Sequence, residues 1–307
     1  VDHAVLPWST VRIGEEMGIT ITDPDAVGEG SLPQHDCADP SQLDISGWGG
    51  AMRPPDILAA SRSDLYGEFD LPEPEAIRHS VRRLLSLVFG VEALQTADLA
   101  GNNAPDETLA LYRSMALLVD GETDPQTPFA DMLQCDGPAA LWSALAHDRL
   151  PAGSAVNRDA ILQAFVALPA HLRRHLGPAL AAKFLKHDDA DAARLIRDAM
   201  DRAPATDRAA VALLDARAEL HDGNPEAAQA HAEAAVALDG DKVESLVALV
   251  ETHFHTLDPL SPDIAEALLS LRDETDGTAA GSAVDRAIVL ALALSGQIGA
   301  AFTEPAA

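Results

Sequence analysis

Residues 188–239 read DDADAARLIRDAMDRAPATDRAAVALLDARAELHDGNPEAAQAHAEAAVALD, and the same helix-pair signal is written there twice. The first copy has a turn at His187-Asp188-Asp189, then Ala192, Ala199 and Pro204. The second has a turn at Gly223-Asn224, then Ala228, Ala235 and Gly240. The marks recur at spacings of 7 and then 5, and Ala192 to Ala228 is a shift of 36 residues. The shift continues: Ala228 plus 37 is Ala265, and Ala265 plus 36 is Ala301. Asp258-Pro259 precedes Ala265 as a turn, and Gly296-Gln297 precedes Ala301. Pro204, Gly240 and Gly277 follow as helix terminators.

A period in the thirties with two helices per unit is the mark of a helical solenoid, in which no unit buries its apolar stripe alone. Small residues belong where two helix axes come closest. Alanine also has the best intrinsic helix propensity. The chain is therefore expected to be all-α: a right-handed α-solenoid of helix pairs with an irregular N-terminal arm. The expected division is an arm over 1–50, an irregular helical region over 51–150, and regular repeats over 151–307. The chain ends six residues after Ala301, which predicts a truncated last repeat. It also starts at Val1 without a methionine, which predicts processing or cutting from a longer chain.

The marks resemble the tetratricopeptide repeat over roughly residues 170–301. Gly223, Ala228, Ala235, Leu238 and Asp239 fall on that family's turn, small-residue and exit positions, and Ala192, Ala199 and Pro204 fit the same frame. Arg272 replaces a small residue, Gly240 replaces the usual proline, and the first helices lack the family's aromatic marks. The resemblance implies capture of a peptide or partner helix on the concave face, which the first helix of each repeat lines. In that frame Arg174, Phe184, Arg217 and Phe254 point toward the groove as partner-binding residues. Arginine and large apolar side chains are typical anchors.

The chain carries a net charge of −28, and Lys183, Lys186 and Lys242 are its only lysines. Such a chain repels nucleic acid and anionic lipid. The acidity reads first as a solvated surface and second as attraction to a basic partner. No run reaches the roughly 18 apolar residues a membrane span needs. Cys37 and Cys135 both lie in polar, loop-like contexts, outside the apolar stripes where free buried cysteines sit. That placement suggests one disulfide and an oxidising compartment, periplasmic or extracellular.

In chain order, Val11-Arg12-Ile13 and Ile19-Thr20-Ile21-Thr22 predict a small hairpin or extended arm. Coil is expected from there to residue 50. Pro54-Pro55-Asp56 opens a helix to Tyr66. Ile77, Val81, Leu84, Leu85 and Val88 line one face of a second helix, which Gly90 ends. Gly90 and Ala93 mark this pair as a diverged repeat unit. Helices follow over Asp106 to Val119 and Pro138 to His147, and Asn157 caps another.

Few motifs carry chemistry. His171 and His175 sit at i and i+4, a spacing that can hold a metal. No glutamate follows the first histidine and two arginines lie between them, so no metal site is expected. Arg78, His79, Arg82 and Arg83 form a basic stripe that can grip carboxylates or pair with the chain's own acids. Asp23 to Gly28 begins like a calcium loop but lacks its third and closing ligands. Asp188, Asp189 and Asp191 read as a turn and a helix N-terminus. No phosphate loop or nucleophile elbow appears, so no catalytic residue, metal or cofactor is assigned.

The leading expectation is a protein-binding scaffold in the bacterial cell envelope with a protein or peptide partner. One alternative is a cell-wall-cleaving enzyme on a helical superhelix, which needs an isolated acid with a raised pKa in a cleft. The other is a structural spacer, which predicts no exposed apolar or basic patch on the concave face.

Overall fold

In the computed structural model of the chain the described residues are 10–13, 19–22, 36–66, 72–101, 106–151, 156–202, 207–239, 242–278 and 280–304. Pro204, Gly240 and the segment Asp23 to Gly28 lie outside them. The chain divides into two compact units, residues 1–36 and residues 37–307. In the first, strand β1 (Thr10–Ile13) pairs antiparallel with β2 (Ile19–Thr22), Thr10 opposite Thr22 and Ile13 opposite Ile19.

The second unit is helical. A 3-10 turn at Pro40–Gln42 leads into α1 (Ile45–Trp48), α2 (Pro54–Ser63), α3 (Pro74–Ser86), α4 (Gly90–Asp98) and α5 (Glu107–Val119). Then come α6 (Pro138–Ala146), α7 (Arg158–Ala167), α8 (Ala170–Leu185), α9 (Ala190–Asp201) and α10 (Arg208–His221). The last are α11 (Pro225–Leu238), α12 (Val243–Thr256), α13 (Pro262–Thr275), α14 (Gly281–Leu294) and α15 (Ile298–Ala301). Helices pack neighbour on neighbour, as an α-solenoid requires.

The sequence starts these helices by two devices. Asp106, Asn157, Asp189 and Asp207 each accept a hydrogen bond from the amide three residues on, at 2.9 to 3.2 Å. Such caps satisfy amides that have no partner within the helix. Proline opens α2, α3, α6, α11 and α13, where its missing amide hydrogen costs nothing.

The turns between paired helices repeat one geometry. Val88, Asp188, Gly223, Leu257 and Gly296 each take a left-handed backbone, with φ between 59° and 82°. At four of them the second amide past the helix reaches back to a carbonyl five residues earlier. The pairs are Phe89 to Leu84, Asp189 to Phe184, Asn224 to Glu219 and Gln297 to Leu292, at 2.8 to 3.0 Å. This is the Schellman closure, which satisfies orphan carbonyls of the last turn. It places α3–α4 in the same structural class as α8–α9, α10–α11 and α14–α15. The turn residue of α3–α4 is Val88 and not Gly90, which instead opens α4.

The small residues are buried as the close-approach argument requires. Ala93, Ala97, Ala192, Ala199, Ala228, Ala235 and Ala265 are all fully buried. Arg272, at the position of Ala199 and Ala235, is half-exposed. It pairs with Asp285 on α14 at 3.1 Å and with Glu304 at 2.5 Å, so an ion pair replaces a small-residue contact there.

One hydrophobic cluster runs from Leu43 to Ala218, and a second from Ala216 to Leu292. The first crosses residue 150 without a break, so the irregular helices and the first regular pair share a core. The stretch after Cys37 is more than surface coil: Leu43 and Ile45 are buried, and Trp48 meets Tyr112 edge to face at 5.1 Å. Cys37 and Cys135 are disulfide-bonded across 98 residues of sequence, with Cα atoms 5.8 Å apart. Closing a loop of that size contributes about 4–5 kcal/mol in the chain-entropy account.

Candidate functional site

Along α8–α14, consecutive first helices touch: α8 meets α10, α10 meets α12, and α12 meets α14. The second helices α9, α11 and α13 make no comparable contact with one another. The first helices therefore form a continuous layer whose outer side is one surface.

On α12 that side carries Glu244, Val247, Glu251 and Phe254, spaced 3, 4 and 3 apart. The opposite side, with Leu246, Leu249 and Val250, is buried. Phe254 is 47 % exposed. On α14 Arg286 is exposed, and Val289 and Leu290 are half-exposed along a shallow depression. On α10 Arg217 is half-buried. Its guanidinium is lowered from its ordinary pKa by burial, against the opposing pull of Glu251 and Glu244. Among the described residues no carboxylate lies within 4 Å of it.

Nine arginines among the described residues meet a carboxylate instead. Arg197 on α9 forks onto Asp215 of α10 at 2.8 and 2.7 Å, which raises its pKa. Arg158 meets Asp189 at 2.8 Å, and Arg194 meets Asp222. The basic stripe on α3 is spent in the same way. Arg78 holds Glu75 and Asp106, Arg82 holds Glu75, and Arg83 holds Asp64 and the Ala60 carbonyl. Burial lowers the His79 pKa first, and the Arg83 and Arg82 charges lower it further.

Of the four residues expected in the groove, Arg217 and Phe254 lie on this face, and Arg174 is half-buried on α8. Phe184 is a core residue, 1 % exposed. Phe184 supplies the carbonyl of the Schellman closure, a position whose side chain is buried where it is apolar and half-exposed where it is Glu219. Leu84 and Leu292, at the same position in their pairs, are buried too. Val247, Glu244 and Glu251 were not anticipated, although their 3-4-3 spacing from Phe254 was readable.

The histidine pair has a structural task. His171 Nε2 donates to the carbonyl of Ser86, the last residue of α3, at 2.8 Å. His175 Nε2 donates to the carbonyl of Val119, the last residue of α5, at 2.5 Å. Lys183 Nζ donates to the carbonyl of His147, which closes α6. One side of α8 thus caps three helix C-termini, whose partial negative charge favours such donors.

Beside these caps lies a cavity of about 470 Å³ between α8 and the ends of α5 and α6. Asp120 stands on it. Its carboxyl is raised from its ordinary pKa by partial burial, with Glu122 and Glu92 adding to the rise, while the Gly90 amide donates to it and opposes the shift. Asp120 is the C-cap of α5 and is exposed. No family model, curated protein or solved structure matches the chain.

Proposed function

We propose that this protein is a binding scaffold that holds a peptide or partner helix against the outer side of α10, α12 and α14. The observation that carries the reading is the group formed by Phe254, Val247, Glu244, Glu251 and Arg217. It sets exposed Phe254 and half-exposed Val247 among Glu244, Glu251 and Arg217, none of which forms an ion pair among the described residues. A buried charge is costly unless paired, so a partner carboxylate at Arg217 would recover that cost. A spacer has no need of such a patch.

The touching first helices support this face as the inner, concave layer, which is the binding surface of helical solenoids. The tetratricopeptide-like spacing of the buried alanines supports the same frame. The disulfide supports an oxidising compartment, periplasmic or extracellular. The net charge of −28 favours a basic partner. Such a segment would set cationic side chains at Glu244 and Glu251 and an apolar one between Val247 and Phe254.

A pull-down from periplasmic extract with the intact chain tests the reading. The expected result is a stoichiometric partner that both Arg217→Glu and Phe254→Asp release. A partner retained by both variants would place the binding surface elsewhere and overturn the proposal.

A further inference from the structure

On α12, Glu244 and Glu251 stand seven residues apart, and so do Val247 and Phe254. Seven residues of helix rise about 10.5 Å. The helix therefore carries an acidic row and an apolar row with one common step. Neighbouring α10 sets Arg217 beside the acidic row, where Glu251 and, less strongly, Glu244 act on its guanidinium. Among the described residues none of these three charges forms an ion pair. One positive charge that feels both carboxylates thus interrupts a negative row.

A complementary partner presents the opposite order of charge. A uniformly basic segment would meet Arg217 with a like charge and leave that half-buried guanidinium unpaired. A phosphate would set a dianion against both glutamates. A single carboxylate between two cations answers all three groups. The spacing selects the partner's backbone as well. On a helix laid along α12, residues i and i+7 share a face, with i+3 or i+4 between them. On an extended strand side chains alternate sides at about 3.3 Å per residue. Same-side positions along it fall at about 6.6 or 13 Å and miss the step of both rows.

We infer that the partner is an amphipathic helix laid along α12, its contact side carrying cation, carboxylate and cation at i, i+3 or i+4, and i+7, beside an apolar row of the same step. This rests on the binding face proposed above and adds the order of charges that the partner must present.

Fluorescence anisotropy with stapled helical peptides tests it on the intact, disulfide-bonded chain. Three peptides share the apolar row and one net charge, balanced on the far side. Their contact sides read Lys-Glu-Lys, Lys-Lys-Lys and Glu-Lys-Glu. The first is expected to bind saturably and about tenfold more tightly than the other two. Arg217→Glu is expected to invert the order of the first two. Glu244→Lys alters an exposed side chain, so it is expected to keep the wild-type melting temperature and to weaken the Lys-Glu-Lys peptide about tenfold. No saturable binding by that peptide, an equal or tighter Lys-Lys-Lys peptide, or unchanged affinity in Glu244→Lys would each overturn the inference. If any of these results accompanies a protein partner that Phe254→Asp releases, the binding face stands and only its charge order falls.

Discussion

His175 on α8 donates through Nε2 to the carbonyl of Val119, the final residue of α5, at 2.5 Å. With His171 at Ser86 and Lys183 at His147, it makes α8 the element that closes three earlier helices. His171→Ala and His175→Ala are each expected to cost about 1 kcal/mol, the usual net value of a hydrogen bond. The double variant should lose the sum, because each histidine serves a different helix. Urea unfolding at fixed pH measures both.

Two glycines sit where backbones and side chains crowd. A Cβ on Gly90 would stand 2.4 Å from the Ala116 carbonyl oxygen, and one on Gly177 would stand 2.4 Å from the Met200 sulfur. Gly90→Ala meets backbone that cannot yield, so a loss of about 2–3 kcal/mol is expected. Gly177→Ala meets a flexible side chain and should cost less. Thermal unfolding of the two variants gives the order.

Leu257 holds a left-handed backbone with φ 59° while its side chain is 76 % exposed. That conformation costs a non-glycine residue about 1–2 kcal/mol. Leu257→Gly removes the strain and loses little packing, so a gain of about 0.5–1 kcal/mol is expected after the entropy cost of glycine. A lower denaturation midpoint would contradict the turn geometry.

Two carboxylates titrate with opposite signs. Asp207 is held below its ordinary value, first by the Ala210 amide and then by Lys242 against the effect of burial. Its contribution is complete above the unfolded value of about 4 and is lost as pH falls through the lower folded value. Asp120 is raised, so its charged form opposes folding at neutral pH. Asp207→Asn should therefore destabilise at pH 7 by less than about 1 kcal/mol, as suits a partly exposed pair. That loss should vanish in acid. Asp120→Asn keeps an acceptor for Gly90 and should be neutral or stabilising at pH 7, with the difference closing below pH 4. Stability curves from pH 3 to 8 settle both signs.

Reduction of Cys37–Cys135 should lower stability by about 2–5 kcal/mol. Cys37→Ser/Cys135→Ser should behave like the reduced wild type. Denaturation with and without reductant makes the comparison.

Much of the helical stack was legible because its signals are local. The alanines at spacing 7 report the close approach of neighbouring helices, and Ala192, Ala199, Ala228 and Ala235 are buried where that spacing puts them. Cys37 and Cys135 were readable from their polar contexts. The phase of Phe184 was not, because the repeat period alone does not say which side of α8 packs into the core, where Phe184 is buried. Val88 and Leu257 take left-handed turns that their residue types disfavour, so nothing in the chain announces them. The caps made by His171 and His175 join residues 85 and 56 positions apart, beyond the reach of any local pattern. The cavity is built from three helices and was invisible for the same reason.

The binding face is tested most directly by a photo-crosslinking amino acid placed at Phe254 and, separately, at Leu195, an exposed residue on second helix α9. In periplasmic extract the account predicts one discrete adduct from position 254, abolished by Arg217→Glu, and none from position 195. An adduct at 195 alone, or adducts at 254 indifferent to Arg217→Glu, would contradict it.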